Sequence, residues 1–454
     1  MTASLDPDDP PPQLARALIR SLTRGTAIAS GARYIHVGHS RWLAAQSELL
    51  GEIGEDGHSD TKFVRGAYGA GKSHFLSVVQ DRARELNWVT SHVECKIDGV
   101  QIDRFETLYP KIVSKLTTPD STPVESDADG ESSTDTLRDL LDTWAVRLLQ
   151  QVGVKEGGLT KPFDAEERVY GALQSGLMRS NMPAEFAKAL AAYVRAYLAH
   201  DDETLQSVAV WLRGVNVRIQ LPATYVRRPR LGGASPKGAV IELKPIGTGS
   251  ARDIMRGVLW LVKTAGYTGL VLCIDEIEEL AKLGNRRRQD QALQALREYV
   301  DNAGGDAGFR HLCMYLAATP EMFVGPDYFP RYDALASRIQ PVSEEINWRA
   351  PVIDLDRTPL GATEMMEMAL RIRRVHQVAY GTTALKSVSE ELLRRFITDV
   401  AASRFRVAKP RLLTRIVIDE LERARQEGIE YKPPGDVKGK VASVAERIAN
   451  EAAL

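Results

Sequence analysis

Residues 63–75 read FVRGAYGAGKSHF, and this stretch decides how the rest of the chain is interpreted. A short apolar run precedes the glycines, and an amphipathic, helix-like stretch follows them. The run between them fits the pattern G-x-x-x-x-G-K-[ST] at every fixed position. The residues at the fixed positions are Gly66, Gly71, Lys72 and Ser73. The stretch therefore predicts a strand, a glycine-rich loop and a helix, in that order.

The residue types in this loop are those that bind phosphate groups. Glycines let backbone N–H groups close around phosphate oxygens, and the N-terminus of the following helix adds partial positive charge. In such a loop Lys72 contacts the β- and γ-phosphates, and Ser73 is a ligand of Mg²⁺. The sequence thus predicts ATP and Mg²⁺ as cofactors. The predicted nucleotide-binding residues of the loop and its exit are Gly66, Ala67, Tyr68, Gly69, Ala70, Gly71, Lys72, Ser73 and His74.

An adjacent pair of acidic residues follows a second apolar run, LVLCIDEIEEL at residues 270–280. Asp275 lies at the carboxyl end of the predicted strand, where it can hold the Mg²⁺ shell through water. Glu276 can polarise an attacking water molecule. Glu278 and Glu279 follow closely, so a solvated acidic strand end is the alternative interpretation. With the glycine-rich loop, the Asp-Glu pair predicts a Mg²⁺-dependent ATPase.

Two further residues join Glu276 and Lys72 in the predicted catalytic set. Thr319 ends the apolar run HLCMYLAAT, where its hydroxyl could orient water, although Thr-Pro is also an ordinary strand stop. Arg338 lies downstream in RYDALASRIQP. It could stabilise transition-state charge on a neighbouring subunit's nucleotide, or it could be a solvated surface residue.

Composition limits the classes of partner. Among 454 residues, 59 Lys and Arg balance 60 Asp and Glu, so no global field attracts nucleic acid. DNA contact would have to come from local basic clusters. The start of the chain lacks a signal-peptide pattern, and no run reaches about 18 apolar residues, so we expect a cytoplasmic protein without membrane contact. The clusters are Arg227, Arg228 and Arg230; Arg286, Arg287 and Arg288; Arg371, Arg373 and Arg374; and the stretch 394–411.

The alternation of strand-like and helix-like runs predicts an α/β fold with a parallel sheet covered on both faces. Low apolar content marks residues 117–136, and helical periodicity marks the stretch that follows. The predicted segments are a disordered N-terminus at 1–12, an N-terminal helical arm at 13–60, the first half of the core at 61–116, a disordered linker at 117–136, a helical insertion at 137–250, the second half of the core at 251–345, and a C-terminal helical region at 346–454.

The order of these motifs resembles that of the AAA+ ATPases, especially helicase loaders. More closely, FVRGAYGAGKSHFL, GYTGLVLCIDEIEEL, LAATPEMF and YDALASRIQP together resemble the ATP-binding proteins of BREX phage-defence systems, the BrxD-like family. The resemblance spans roughly residues 14–425. It implies an AAA+-like P-loop NTPase fold with a helical lid and a winged-helix-like region. It also implies a helicase-like partner on DNA, an ATP-dependent homo-oligomer, and a second sensor arginine at Arg411 in KPRLLTR.

Two functions therefore stay open. The first is an ATP-hydrolysing switch that remodels or loads a DNA-processing partner, and that contacts DNA directly or through this partner. The second is a slow-turnover, nucleotide-gated scaffold or signalling switch that works by assembly. A P-loop kinase is disfavoured, since no sequence pattern indicates a pocket for a phosphate-accepting substrate. The chain also has sensor-like features and an extended helical C-terminus.

Overall fold

The structure is a computed structural model, and it describes residues 9–26, 28, 30–121, 136–154, 162–179, 182–228, 238–301, 308–340, 344–381, 388–403, 405 and 407–451. Most of the predicted disordered N-terminus and of the predicted linker lies outside the described residues. The chain has a mixed α/β fold and divides into two compact units. Unit 1 comprises Met1–Leu50, Lys62–Glu85 and Tyr315–Leu454, and unit 2 comprises Gly51–Thr61 and Leu86–Met314.

The main sheet has five parallel strands in the order β2–β5–β6–β1–β7. Every residue of β5 and β6 is buried, as expected for strands with neighbours on both sides. A separate antiparallel pair joins β3 to β4. The strands are β1 Ser59–Arg65, β2 Val89–Glu94, β3 Ile219–Pro222, β4 Val240–Leu243, β5 Leu270–Asp275, β6 Leu312–Ala318 and β7 Val352–Asp354. The predicted parallel sheet is confirmed.

Helices account for most of the rest of the described chain. In chain order they are α1 Pro12–Arg24, α2 Ser40–Asp56, α3 Lys72–Glu85, α4 Cys95–Asp98, α5 Phe105–Ser114, α6 Thr136–Gln151, α7 Pro162–Arg179, α8 Ala184–Ala199, α9 Asp202–Leu212, α10 Ala223–Val226, α11 Ala251–Thr264, α12 Arg286–Asp301, α13 Pro320–Val324, α14 Asp333–Ile339, α15 Ala362–Tyr380, α16 Glu390–Ala402, α17 Lys409–Glu427 and α18 Val437–Glu451. None of the described helices combines the length and the apolar character needed to cross a membrane.

In unit 1 the N-terminal arm and the C-terminal helices share one apolar core. The stripe on α1 recurs every three or four residues, and Gly25 ends the helix in the left-handed conformation. This stripe packs against α15 and α17. Residues at the centre of the cluster include Leu18, Ile19, Ala369, Ile372, Phe396, Leu413 and Ile416. The described residues from Ala362 onward form helices and the segments that connect them, and the winged-helix-like part stays a prediction.

Unit 2 contains the stretch that we predicted as a helical insertion. Its helices α6 to α9 pack on one another, and α6 also packs on α5 and α11. Two buried polar side chains of this unit form hydrogen bonds: the Tyr109 hydroxyl donates to the carbonyl oxygen of Leu212 at 2.6 Å, and the Trp211 indole N–H donates to that of Lys244 at 2.7 Å. Cys95, Cys273 and Cys313 are buried thiols, Cys95 at the start of α4 and the other two within β5 and β6.

Two glycines in the helices of unit 2 give a test of this packing. A Cβ atom on Gly257 of α11 would lie 2.7 Å from ring carbons of Phe186, whereas one on Gly171 of α7 would meet nothing within 4 Å. We predict that Gly257→Ala lowers the free energy of unfolding by about 1–3 kcal/mol through overpacking. Gly171→Ala should raise it by roughly 0.5–1 kcal/mol through helix propensity. Urea unfolding of both variants checks this, and equal stabilisation by the two substitutions would contradict the tight contact.

Candidate nucleotide-binding site

The P-loop, residues 66–73, connects β1 to α3 in unit 1. Gly69 and Gly71 have φ angles of 80° and 102°, which side-chain-bearing residues rarely adopt. A Cβ atom on Gly69 would also lie 3.1 Å from Cδ of Arg411. The backbone N–H of Ala70 donates to the carbonyl oxygen of Ala67 at 3.0 Å and closes the turn. Glycine is therefore required at two loop positions for reasons of backbone geometry.

Lys72 is the first residue of α3 and is 8% exposed. Its Nζ atom donates to the carbonyl oxygen of Gly66 at 3.0 Å and to that of Ala67 at 3.5 Å. The ammonium group thus lies against the loop, at a helix end that carries partial positive charge. Ser73 follows with its hydroxyl. An ammonium group, a hydroxyl and a left-handed glycine loop at a helix N-terminus fit the phosphates of a nucleotide with Mg²⁺.

Arg411 lies at the P-loop, as the predicted assignment requires. It belongs to the first turn of α17, and its guanidinium carbon is 4.9 Å from the centroid of the Tyr68 ring. Tyr68 itself is exposed. The cation–π contact holds a positive charge of the C-terminal helices beside the loop. Whether this charge contacts a nucleotide stays a prediction.

Thr319 and Arg338 also belong to unit 1. Thr319 follows β6 directly, and the preceding carbonyl oxygen, that of Ala318, accepts the N–H of Gly66 at 3.4 Å. This contact places Thr319 next to the start of the P-loop. Arg338 is partly buried on α14, and its Nη1 donates to the carbonyl oxygen of Ala334 at 2.5 Å. Its predicted action on a neighbouring subunit is not tested by this contact.

His74, the last predicted nucleotide residue, contacts the N-terminal arm. Its Nε2 shares a hydrogen bond with Nδ1 of His36 at 3.2 Å, and the two rings stack. Burial, together with the neighbouring imidazoles, lowers the pKa of His36 to about 3 and that of His74 to about 4. Both rings are therefore neutral near pH 7. They connect the arm to α3 and add no charge to the phosphate-binding loop.

Asp275 and Glu276 belong to unit 2. Asp275 ends β5 and is 2% exposed. Its Oδ1 accepts the backbone N–H of Glu276 at 2.8 Å. Glu276 has φ 56° and ψ 43°, a left-handed conformation that is unfavourable for a residue with a side chain. Such strain is concentrated at functional sites, which supports a role for Glu276 beyond that of a solvated strand end.

Glu94 is a residue of this acidic group that sequence reasoning missed. The parallel register of β2 and β5 pairs Glu94 with Asp275. Burial, followed by the negative charges of Asp275 and Glu276, raises the pKa of Glu94 to about 7 against the opposing effect of Lys115. Near neutral pH this carboxyl group is therefore only partly ionised. The only signal in the sequence is its position at the end of the predicted strand WVTSHVEC.

A second missed residue, Asp356, contacts the P-loop itself. Its carboxylate oxygens accept the backbone N–H of Ala67 at 3.0 and 3.2 Å. Oδ1 of Asp354 accepts the N–H of Asp356 at 3.1 Å, and Asp354 forms an ion pair with Arg65 at 3.1 Å. The register of β1 and β7 pairs Arg65 with Asp354. These contacts link Arg65, at the end of β1, through Asp354 and Asp356 to Ala67, the first variable residue of the loop.

No group of three or more His, Cys, Asp or Glu side chains in the described part of the chain is arranged to hold a metal ion. Mg²⁺ in phosphate-transfer sites is held by few protein ligands, together with phosphate oxygens and water. The residues predicted for it, Ser73 and Asp275, are of that kind. A cage of protein ligands is not needed for the predicted chemistry.

Comparison with known proteins agrees with the motifs. A family model described as BREX system ATP-binding protein BrxC/D matches residues 11–434. No curated protein and no solved structure gives a match. The match covers the P-loop, the Asp-Glu pair, Thr319, Arg338 and Arg411, so the resemblance seen in the sequence is confirmed. The chain therefore belongs to the family of BREX system ATP-binding proteins BrxC/D.

Proposed function

We propose that this protein hydrolyses ATP with the help of Mg²⁺ and uses the cycle to remodel or load a DNA-processing, helicase-like partner. Membership of the family indicates an ATP-binding role in phage defence. The observation that carries the proposal is the P-loop, in which Lys72, at the N-terminus of α3, donates hydrogen bonds to carbonyl oxygens of the loop. The buried Asp275 and the strained Glu276 support hydrolysis as well as binding.

Each residue takes the role that suits its chemistry. Lys72 binds the β- and γ-phosphates, and the loop backbone orients them. Ser73, and Asp275 through water, hold Mg²⁺, which neutralises charge on the phosphate oxygens when bound. Glu276 accepts a proton from the attacking water, and the Thr319 hydroxyl orients that water. Arg411, on α17, acts as the second sensor arginine and contacts the phosphates.

We predict that Lys72→Ala and Glu276→Gln separate binding from hydrolysis. Loss of the ammonium group should weaken ATP binding by about 10- to 100-fold, because a charged hydrogen-bond donor is removed. Loss of the carboxylate should preserve binding and lower turnover by roughly 100-fold or more, since general-base catalysis is removed. Isothermal titration calorimetry gives the affinities, and steady-state phosphate release gives the turnover.

Glu279→Gln is the matched control. Its carboxylate pairs with the exposed Lys282 at 2.7 Å, so this substitution should leave turnover unchanged. Equal turnover in wild type and Glu276→Gln would reject the catalytic assignment. If wild-type protein binds ATP, releases almost no phosphate and changes its mass with nucleotide, the scaffold function would replace the proposed one.

Arg338 is proposed to act in trans within an ATP-dependent homo-oligomer. An arginine supplied to a neighbouring active site stabilises transition-state charge. We predict that Arg338→Ala and Lys72→Ala subunits, each with low turnover alone, regain part of the activity when mixed. A mixed interface can then join an intact P-loop to an intact arginine. Phosphate release measured over a range of mixing ratios checks this. Absence of any ATP-dependent assembly at micromolar concentration would contradict it.

The basic cluster at the start of α12 is the proposed DNA contact. Arg286 and Arg287 are exposed in the first turn of the helix, the end at which a bound anion such as a DNA phosphate is stabilised. Arg288 is less exposed, and its Nη2 pairs with the buried Asp103 at 2.9 Å. The cluster Arg371 to Arg374 likewise makes internal contacts, such as Arg371 with the carbonyl oxygen of His36. Arg230, Arg404 and Arg406 lie outside the described residues.

We predict that replacing Arg286 and Arg287 with alanine weakens DNA binding and reduces the salt dependence of affinity by about two phosphate contacts. Arg288→Ala, with its folding checked by thermal unfolding, should leave that dependence unchanged, because its guanidinium is engaged by Asp103. The measurement is affinity for duplex DNA from about 50 to 200 mM salt, with ATP and with ADP. An unchanged slope in the double variant would move the DNA contact to Arg394 and Arg395 or to the partner.

A further inference from the structure

We infer that Asp356 sets the affinity of the P-loop for triphosphates, because it places a fixed negative charge on the loop. This charge repels the phosphate groups of a bound nucleotide. The inference rests on the proposed function of the loop as the ATP site. Asp356 is not part of the glycine-lysine motif, and it reaches the loop from the segment that follows β7. Its role concerns how strongly nucleotides bind, in contrast to the catalytic residues.

The position of the carboxylate is determined by its neighbours. Arg65, which immediately precedes Gly66, pairs with Asp354 at 3.1 Å, and Asp354 accepts the N–H of Asp356 at 3.1 Å. Asp354 is 9% exposed, so this carboxylate is largely shielded from water. Both carboxylate oxygens of Asp356 then lie within hydrogen-bond distance of the Ala67 N–H. The exposed side chain of Asp356 is thereby directed back to the loop by a partly buried ion pair.

The contact between Asp356 and Ala67 lies at one defined end of the loop. Ala67 offers its N–H to Asp356, while the carbonyl oxygens of Gly66 and Ala67 hold Nζ of Lys72. The ammonium group of such a lysine binds the β- and γ-phosphates. The carboxylate therefore lies near the end of the loop that receives the terminal phosphates. It should oppose a triphosphate more strongly than a diphosphate, since the triphosphate carries more charge at that end.

Asp356→Asn separates charge from geometry. The amide oxygen of asparagine can still accept the Ala67 N–H, but the negative charge is gone. We expect this variant to bind the non-hydrolysable ATP analogue with a nitrogen between the β- and γ-phosphates about threefold to tenfold more tightly than wild type. The gain for ADP should be smaller. Calorimetric titration with Mg²⁺ present gives both dissociation constants, and thermal unfolding checks that the variant folds.

Three controls make the test specific. Glu391→Gln removes one negative charge from the exposed surface of α16 and should change neither dissociation constant. Asp356→Ala removes the acceptor together with the charge, so a purely structural role would make the Asn and Ala variants differ, with only Ala weakened. The ratio of wild-type to Asp356→Asn dissociation constants should shrink as salt is raised from about 50 mM to 1 M, because screening weakens the charge effect.

The outcomes are distinguishable from failure of the ATP site itself. If wild type binds the analogue and Lys72→Ala does not, the proposed site stands. With that result, equal affinity of wild type and Asp356→Asn, or weaker binding by Asp356→Asn, would overturn the role of the Asp356 charge. If Lys72→Ala binds the analogue as tightly as wild type, the proposed site fails, and the inference on Asp356 fails with it.

Discussion

The pairing of β1 with β7 is the constraint on which the P-loop conformation depends. It pairs Arg65, the residue immediately before the first glycine of the loop, with Asp354. The ion pair between them positions Asp356, and Asp356 returns to the N–H of Ala67. Glycines in the left-handed conformation have no side chains with which to stabilise the loop, so anchoring by neighbouring strands helps to restrict its conformations. The P-loop is thus held in place by a contact between residues about 290 positions apart in the sequence.

Local patterns were enough to predict the loop, and they also predicted the strand that ends in Asp275. Both are defined by residues adjacent in sequence, such as the run from Gly66 to Ser73, and their chemistry can be read without a structure. The parallel sheet followed from alternating strand and helix patterns for the same reason. The charge relations of Glu94 and Asp356 could not be predicted, because each depends on register between strands far apart in the chain. The ion pair of Arg288 with Asp103 could not be predicted either, because the two residues lie 185 positions apart in the sequence.

The chain order of unit 1 explains why Arg411 reaches the P-loop. The apolar stripe of α1 and the helices α15 and α17 bury one another, so the two ends of the chain form one core. Arg371 on α15 donates to the carbonyl oxygen of His36, and the His36 ring contacts His74 directly after the loop. The C-terminal helices are therefore connected to the loop through Arg411 and through the N-terminal arm. A displacement of α17 would act on the loop at Tyr68 and Gly69.

Local charge, and not the net charge of the chain, determines the field at this loop. With 59 basic and 60 acidic residues the global field is close to zero. Burial keeps His36 and His74 neutral, so they contribute hydrogen bonds without charge. Among the described residues, Lys72, Arg411 and Asp356 carry fixed charges in contact with the loop backbone or its side chains. The interaction energy of two unit charges about 7 Å apart is roughly 0.6 kcal/mol at the dielectric constant of water and roughly 2.4 kcal/mol at that of a protein surface. We therefore expect each of these three residues to change nucleotide affinity several-fold, whereas the many charges far from the loop are screened.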